Sequence, residues 1–337
     1  MRSGKADDIE RQQQRQKQGQ GQGQNKQSAS PLAHTMATQV AGAVSTMMLY
    51  PFDTLRIRFM SQDGTLQRQH NGQTYHSISK ALTTIYREEG LRALFRGCHI
   101  AVMGAVAAWG VYMYLYRSLC SLSDLYMPQG ELKQVEDFVR RSFLSGVASS
   151  CSAVVCNPIW LLKTRMQLEE ISFRTSGTRT GNYLSFIRGL IHVIQTTGFF
   201  SLWRGVSAQI LLGLPNAFNF PLYELFKSYY MRYTSRDNLS TLEISLCSTA
   251  AKSLVTLFAH PILVLKTRLQ DHRSRCGELK YVSFFQSSSL IWKRDGLRGM
   301  YRGVVPSFFQ TVPRLVMTIV LYEKFMQFYS KRNSLSN

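Results

Sequence analysis

The chain has 337 residues, 45% of them hydrophobic, and a formal net charge of +20 at pH 7. This length suits two soluble domains or one multi-pass membrane bundle. Such a charge is typical of nucleic-acid-binding proteins, but the basic residues cluster between apolar segments, as in membrane proteins, which argues against that class. The six cysteines form no CxxC or Cys/His array, so we predict neither a metal site nor a disulfide framework.

Residues 1–30 form a polar tail with a Gln- and Gly-rich run from Gln12 to Gln27. Such a composition cannot bury a core, so we predict that the tail is disordered. The tail lacks an apolar stretch and carries Asp7, Asp8 and Glu10. It therefore resembles neither a secretory signal nor a typical transit peptide.

Six segments after the tail are apolar and long enough to cross a membrane. Charged residues are rare in them: only Asp53, Lys252 and Arg314 occur. Charges at membrane depth are costly, so these three are functional candidates. In chain order the segments are Met36–Leu55, Cys98–Tyr116, Phe143–Leu162, Val206–Tyr223, Ile244–Leu265 and Val304–Tyr322.

Three motifs each occur three times, about a hundred residues apart. The first reads PFDTLRIR at residues 51–58, PIWLLKTR at 158–165 and PILVLKTR at 261–268. The second places an aromatic-Arg-Gly element after an earlier glycine, at 88–97, 196–205 and 294–303. The third begins at a tyrosine, at 116–120, 223–227 and 322–326. This register predicts three repeats, at 31–128, 129–236 and 237–337.

A short amphipathic helix is predicted between the first two motifs of each repeat, because apolar residues recur there at helical intervals. Each is followed by a glycine suited to a C-terminal cap: Gly90, Gly198 and Gly296. The predicted apolar faces consist of Tyr75, Ile78, Leu82, Ile85 and Tyr86; Tyr183, Phe186, Ile187, Leu190 and Ile194; and Tyr281, Phe284, Phe285 and Ile291.

The three motifs resemble those of the mitochondrial carrier family, and the resemblance covers roughly residues 33–329. It implies an all-α membrane protein with six transmembrane helices in three pseudo-threefold repeats and three short matrix-side amphipathic helices. It also implies a monomeric solute carrier in the mitochondrial inner membrane, not an enzyme, with no cofactor of its own and cardiolipin at the matrix-side helices. A peroxisomal location stays open within this family.

A proline stands at one depth in each odd-numbered span. Proline removes a backbone donor and kinks a helix, so three kinks would draw the helix ends together over a cavity. The resemblance implies a matrix gate at these ends. Its expected members are the kink residues Pro51, Pro158 and Pro261, the charged residues Asp53, Arg56, Lys163 and Lys266, and the bracing residues Gln167 and Gln270.

This expected gate has a single acid. Trp160 and Leu263 occupy the positions that correspond to Asp53 in the other repeats. The resemblance implies that Asp53 pairs with Lys163. Arg56 and Lys266 would then lack acidic partners in the ring.

The tyrosine-led motif implies a second, cytoplasmic gate whose expected members are Glu224, Lys227 and Glu323. Few ion pairs in either gate would lower the barrier between states, as alternating access requires. The second basic residues of the proline motifs are interpreted differently. We expect these arginines to be interfacial anchors that reach lipid phosphates: Arg58, Arg165 and Arg268.

The substrate site is expected around Lys252 and Arg314, which would face a cavity at mid-depth because contact with lipid would be prohibitive. A positive cavity suits an anionic small molecule; alternatively, either residue only pairs with a polar neighbour or a carbonyl. Trp109 and Tyr112 could stack on a planar ring, or belong to an interfacial aromatic belt. Amides that could bond a base edge are Asn216 and Asn219.

The tryptophan of PIW and the fifth-span lysine resemble carriers of nucleotides and cofactors, and RIRFMSQDG, AWGVY and RLQDH resemble FAD/folate carriers most. The predicted function is transport of FAD or folate by alternating access. Alternatives are pyrimidine nucleotides or NAD, a membrane-bound flavin- or folate-dependent enzyme, and a scaffold built on the tail. Against an enzyme, the sequence offers no Gly-rich phosphate loop on a strand–helix unit.

Overall fold

A computed structural model describes residues 31–65, 74–126, 134–169, 182–234, 239–275 and 279–336. The predicted tail and Cys276 lie outside these ranges. All secondary structure within the ranges is helical, which confirms the predicted all-α class. The first repeat contains α1 (Pro31–Met48), α2 (Tyr50–Ser61), α3 (Ile78–Glu89), α4 (Leu91–Leu94) and α5 (Cys98–Tyr126).

The second repeat contains α6 (Gln134–Leu168), α7 (Phe186–Thr197), a 3₁₀ turn (Phe199–Trp203), α8 (Val206–Leu211), α9 (Gly213–Ala217) and α10 (Asn219–Thr234). The third contains α11 (Thr241–Gln270), α12 (Phe284–Met300) and α13 (Val304–Ser336). The predicted order of span, amphipathic helix and span therefore recurs in each repeat.

Four stretches of the described residues are long and apolar enough to cross a membrane: Leu91–Tyr126, Val139–Leu168, Leu242–Gln270 and Val304–Tyr329. The other two predicted spans lie on interrupted helices. The first is broken at Leu49, two residues before Pro51, and the fourth is broken at Leu212 and Phe218. Gly213 and Pro215 lie at the second interruption, where helix propensity is lowest.

The predicted proline kinks have different local settings. Pro51 lies at the second residue of α2, after the break at Leu49. Pro158 and Pro261 instead lie inside the continuous helices α6 and α11. Among the described prolines of this motif, only the first is therefore next to an interruption.

The chain divides into two compact units. The smaller unit comprises Met1–Gly42 and Met317–Asn337, and the larger comprises Ala43–Val316. In the smaller unit, His34 Nδ1 lies 2.8 Å from the hydroxyl of Tyr322. The proline motifs, the amphipathic helices, Lys252 and Arg314 all belong to the larger unit.

Each amphipathic helix packs on the proline-bearing helix of its own repeat. In the first repeat, Ile85 of α3 packs in a cluster with Leu55 of α2. Corresponding clusters join α7 to α6 and α12 to α11. Part of the predicted apolar face is outside these clusters, because three of its residues are largely exposed: Tyr86 (60%), Ile187 (66%) and Phe285 (82%).

The glycine of each aromatic-Arg-Gly element packs on the proline-bearing helix of the following repeat. Gly303 has φ +82°, and a Cβ there would lie 3.2 Å from the backbone nitrogen of Met60. Gly205 has φ +77°, and its Cβ would lie 3.0 Å from Gln270 Cγ. Only glycine combines a positive φ with this close approach, so these residues set the depth at which neighbouring repeats meet.

Candidate functional site

Asp53, Arg56, Lys163 and Lys266 lie shortly after the motif prolines of α2, α6 and α11. We call these four residues the charged ring and this part of the three helices the proline ends. Asp53 is the centre of the charged ring. Its Oδ2 accepts from Lys163 Nζ at 2.7 Å and from Gln167 Nε2 at 3.0 Å. The side chain of Asp53 is only 7% exposed. The structure thus brings the first repeat's acid to the second repeat's lysine, with a glutamine bracing the pair.

Arg56 differs from the expectation that it lacks an acidic partner. Its Nη2 lies 3.0 Å from Asp53 Oδ1. The two residues are one helical turn apart, where side chains at i and i+3 share a face. Arg56 Nη1 also donates to Gln310 Oε1 of α13 at 3.4 Å. One carboxylate therefore serves two cations, and sequence reasoning missed this because it counted only pairs between repeats.

Lys266 lies against an aromatic ring. Its Nζ is 5.9 Å from the ring centre of Trp160, the residue at the acid position of the second repeat. Lys163 Nζ is also 5.9 Å from this ring and 5.7 Å from that of Tyr50. These distances suit cation–π contacts. The described residues include no ion pair of Lys266.

The threonines of the second and third proline motifs contact the bracing positions of the next repeat. Thr164 donates to Gln270 Oε1 at 3.1 Å. Thr267 approaches Met60 Sδ at 3.6 Å, where the first repeat has methionine instead of glutamine. Each contact joins one repeat to the next.

The second basic residues of the proline motifs are not lipid anchors, so that expectation was wrong. All three side chains are fully buried within the protein. Each donates from Nε to a backbone carbonyl of the next repeat, and the third donates to the first. The donor–acceptor distances are 3.1 Å from Arg58 to Gln167, 3.2 Å from Arg165 to Gln270 and 3.2 Å from Arg268 to Met60.

The remaining guanidinium nitrogens of this arginine ring bond both within and between repeats. Arg268 Nη2 donates to the carbonyl oxygen of Gln62 in the first repeat at 2.9 Å, whereas Arg165 Nη2 has no hydrogen-bond partner among the described residues. Arg58 forms a two-pronged ion pair with the buried Glu89, one arm of which is 2.9 Å long. Arg165 and Arg268 donate to tyrosine hydroxyls instead, both at 3.1 Å. The arginine ring is therefore structural: it closes the three repeats on one another directly beside the charged ring.

Lys252 lies inside α11, nine residues before Pro261. Its Nζ donates to Asn216 Oδ1 at 3.0 Å, so two expected substrate residues are in contact. Arg314 and Arg56 are the charged groups that act electrostatically on Lys252. Asp53 is the carboxylate that acts on both Arg56 and Arg314. Because Lys252, Arg56 and Arg314 are three cations, they outnumber this carboxylate.

The other expected substrate residues form no hydrogen bond with this lysine–asparagine pair among the described residues, and each has a different environment. The hydroxyl of Tyr112 lies 2.9 Å from Ser145 Oγ of α6, so it joins two helices. Trp109 is 52% exposed and meets the Tyr112 ring edge-on at 5.8 Å. Asn219 Oδ1 is buried without a hydrogen-bond partner among the described residues, so it retains an unused acceptor.

The expected members of the second gate are not joined by ion pairs within either unit. In the larger unit, Lys227 Nζ lies 5.9 Å from the ring centre of Tyr223, and no ion pair links it to Glu224 among the described residues. Glu323 belongs to the smaller unit and is partly exposed. The structure therefore has a formed set of ion pairs at the proline ends, whereas Glu224 and Lys227 are not paired with each other.

Comparison with known proteins identifies the family. The sequence model described as "Mitochondrial carrier protein" matches residues 27–123, 134–234 and 237–333. The chain belongs to the mitochondrial carrier family. It is therefore a multi-pass membrane transporter with three repeats.

Three individual relatives each share between 26% and 29% of their aligned residues with this chain. The carrier is similar to the mitochondrial FAD carrier protein of Saccharomyces cerevisiae, with 29% identity over 301 residues (84% of this chain and 92% of that protein). It is 27% identical to the chloroplastic folate transporter 1 of Arabidopsis thaliana over 308 residues (86% and 93%). It is 26% identical to the mitochondrial nicotinamide adenine dinucleotide transporter 2 of the same plant over 302 residues (88% and 79%).

The match gives the charged ring a context. In the carrier, the three matched segments each contain one proline motif, one amphipathic helix and one aromatic-Arg-Gly element. Members of this family transport small molecules and are not enzymes.

Proposed function

We propose that this carrier moves FAD or folate across the mitochondrial inner membrane by alternating access. The observation that carries the proposal is the contact of Lys252 with Asn216, beside Arg314 and Arg56. A cationic site at helix mid-depth suits the phosphates of FAD or the carboxylates of folate. The named functions of two relatives, an FAD carrier and a folate transporter, support this substrate class.

The bound substrate has a definite arrangement in this proposal. Lys252 and Arg314 hold its anionic group, and Asn216 and Asn219 hydrogen-bond the edge of its ring system. Trp109 and Tyr112 flank the planar ring, to which aromatic faces are suited. Asn216 then exchanges its bond with Lys252 for one with the ligand, which frees the ammonium group for the anion.

The two gates open in alternation. Asp53, Arg56 and Lys163, braced by Gln167, close the matrix side, and Lys266 with Gln270 completes that ring. Glu224, Lys227 and Glu323 close the cytoplasmic side. The substrate's binding energy offsets the loss of whichever set of pairs opens.

NAD is the second candidate substrate, favoured by the relatives named as NAD transporters; pyrimidine nucleotides are a third. Each carries phosphates and a planar ring, so the same cationic site would serve.

We also propose that the carrier is a monomer whose matrix-side helices bind cardiolipin. The exposed Ile187 and Phe285 on those helices support a lipid contact.

The test is uptake by liposomes that contain the purified carrier and one internal substrate. FAD, folate, NAD and UTP are offered externally, each with label, and then as unlabelled competitors. We expect saturable uptake of FAD or folate with weaker competition by the other two. If NAD or UTP alone is taken up, the substrate assignment is wrong, and if none is taken up, the whole proposed class is wrong.

Immunolocalisation of the full chain tests the inner-membrane assignment against a peroxisomal or plastid one.

A further inference from the structure

One pairing rule runs through the proline ends of the larger unit. Asp53, at the acid position of the first repeat, holds Lys163 of the second repeat. By the same rule, position 160 faces the basic residue of the third repeat, Lys266. The structure obeys this rule with an aromatic ring in place of a carboxylate, since Lys266 Nζ lies 5.9 Å from the centre of Trp160.

We propose that Trp160 is a positioning residue of the charged ring: it holds Lys266 through its ring face and so keeps that lysine available to the anionic substrate. This inference rests on the proposed function and names a further substrate contact for it. Trp160 acts through Lys266 and need not touch the substrate itself.

The chemistry of the contact explains the difference from a carboxylate. A ring face attracts an ammonium group through its quadrupole, without neutralising the cation. A carboxylate at position 160 would form a charge-assisted pair and cancel that charge. Lys266 has no ion pair among the described residues, so its side-chain contact in the charged ring is with the face of Trp160. An anion that reaches the proline ends can therefore take Lys266 from the ring at low cost.

The ring of Trp160 lies near α5 as well as near the two lysines. Gly104 of α5 lies so close to α6 that a Cβ there would meet Ile159 Cγ2 at 2.9 Å and Trp160 Cη2 at 3.8 Å. The ring also lies 5.9 Å from Lys163, which is anchored by Asp53. Trp160 thus links the Asp53–Lys163 ion pair to the lysine that has no ion pair among the described residues.

The first test needs no substrate. The melting temperature of the detergent-purified carrier is measured for Trp160→Leu, Lys266→Gln and the double variant. A cation–π contact predicts a non-additive difference of about 1–4 °C. The matched control pairs Lys266→Gln with Trp292→Leu, an exposed tryptophan of α12, and its shifts should add. Additive shifts for the Trp160 pair as well would overturn the proposal.

The second test separates positioning from packing. In liposomes, uptake of labelled FAD and of labelled folate is measured for Trp160→Phe, which keeps a ring face, and for Trp160→Asp. We expect Trp160→Phe to stay within about threefold of wild type. For Trp160→Asp, KM should rise by about tenfold, because the new carboxylate neutralises Lys266. An unchanged KM in Trp160→Asp would overturn the availability of Lys266. If wild type moves neither probe, the proposed function fails, while the thermal cycle still decides the role of Trp160.

Discussion

Arg268 donates from Nε to the carbonyl oxygen of Met60, 3.2 Å away, and thereby joins the third repeat to the first. Together with the equivalent bonds of Arg58 and Arg165, this closes the three repeats into a ring. Each arginine lies two residues after a basic residue of the charged ring. The arginine ring therefore fixes the depth at which those charges meet.

Removing one arginine should loosen this closure. Arg268→Lys keeps the charge but loses the planar fork that reaches Met60, Gln62 and the Tyr281 hydroxyl. Loss of one or two charge-assisted bonds in a buried setting should destabilise the protein by about 2–4 kcal/mol.

The measurement is the melting temperature in detergent. Arg298→Lys, at an exposed position of α12, is the matched control and should change it little. Equal shifts for the two variants would mean that the ring bonds do not hold the repeats together.

Asp53→Asn should weaken the closed proline ends. The carboxylate compensates both Lys163 and Arg56, and breaking a buried pair costs about 3–5 kcal/mol because the remaining charges stay uncompensated. Melting temperature should fall, and exchange in liposomes should be impaired.

Asp124→Asn is the comparison for this variant. Asp124 pairs with Arg140 at 2.8 Å but is 32% exposed, so its loss should cost only about 0–1 kcal/mol. A milder effect at Asp53 than at Asp124 would contradict the central place of Asp53 in the ring.

Gly303→Ala should be destabilising out of proportion to its size. The residue has φ +82°, and a Cβ would press on the backbone nitrogen of Met60 at 3.2 Å. A left-handed conformation alone costs alanine about 1–2 kcal/mol, and the contact adds to it.

The matched change is Gly146→Ala in α6, where a Cβ would meet nothing within 4 Å. Alanine at a helical position is favoured over glycine by about 0.5–1 kcal/mol, so this variant should be neutral or stabilising. Thermal unfolding of both proteins checks the pair, and a tolerated Gly303→Ala would refute the close-approach argument.

Hydropathy and the motif register were sufficient to predict the helical class and the threefold repetition, because both follow from periodic apolar segments. The pairing of Asp53 with Lys163 follows from the resemblance to the carrier family, in which the acid of one repeat pairs with the basic residue of the next. Hydropathy and motif register do not predict in which direction a long side chain points. The sequence predicts lipid anchors at Arg58, Arg165 and Arg268, because spacing along the helix does not reveal that neighbouring carbonyls lie within reach.

Three further features depended on three-dimensional detail. The Asp53–Arg56 pair has the i, i+3 spacing that brings two side chains together on a helix, whereas the threefold register points only to contacts between repeats. The interruptions at Leu49, Leu212 and Phe218 lie near prolines, which signals a break without giving its position. The role of Trp160 could not be found from its apolar character alone, because it depends on two lysines approaching one ring.

The most direct test of the central claim is anion uptake by the Lys252→Ala carrier in liposomes. Lys252 supplies a cation beside Arg314, and Asn216 holds it in place. The control is Lys280→Ala, an exposed lysine outside the spans, which should behave as wild type. We predict that Lys252→Ala retains its melting temperature but loses most uptake of labelled FAD and folate. Unchanged uptake by a correctly folded Lys252→Ala carrier would contradict the account.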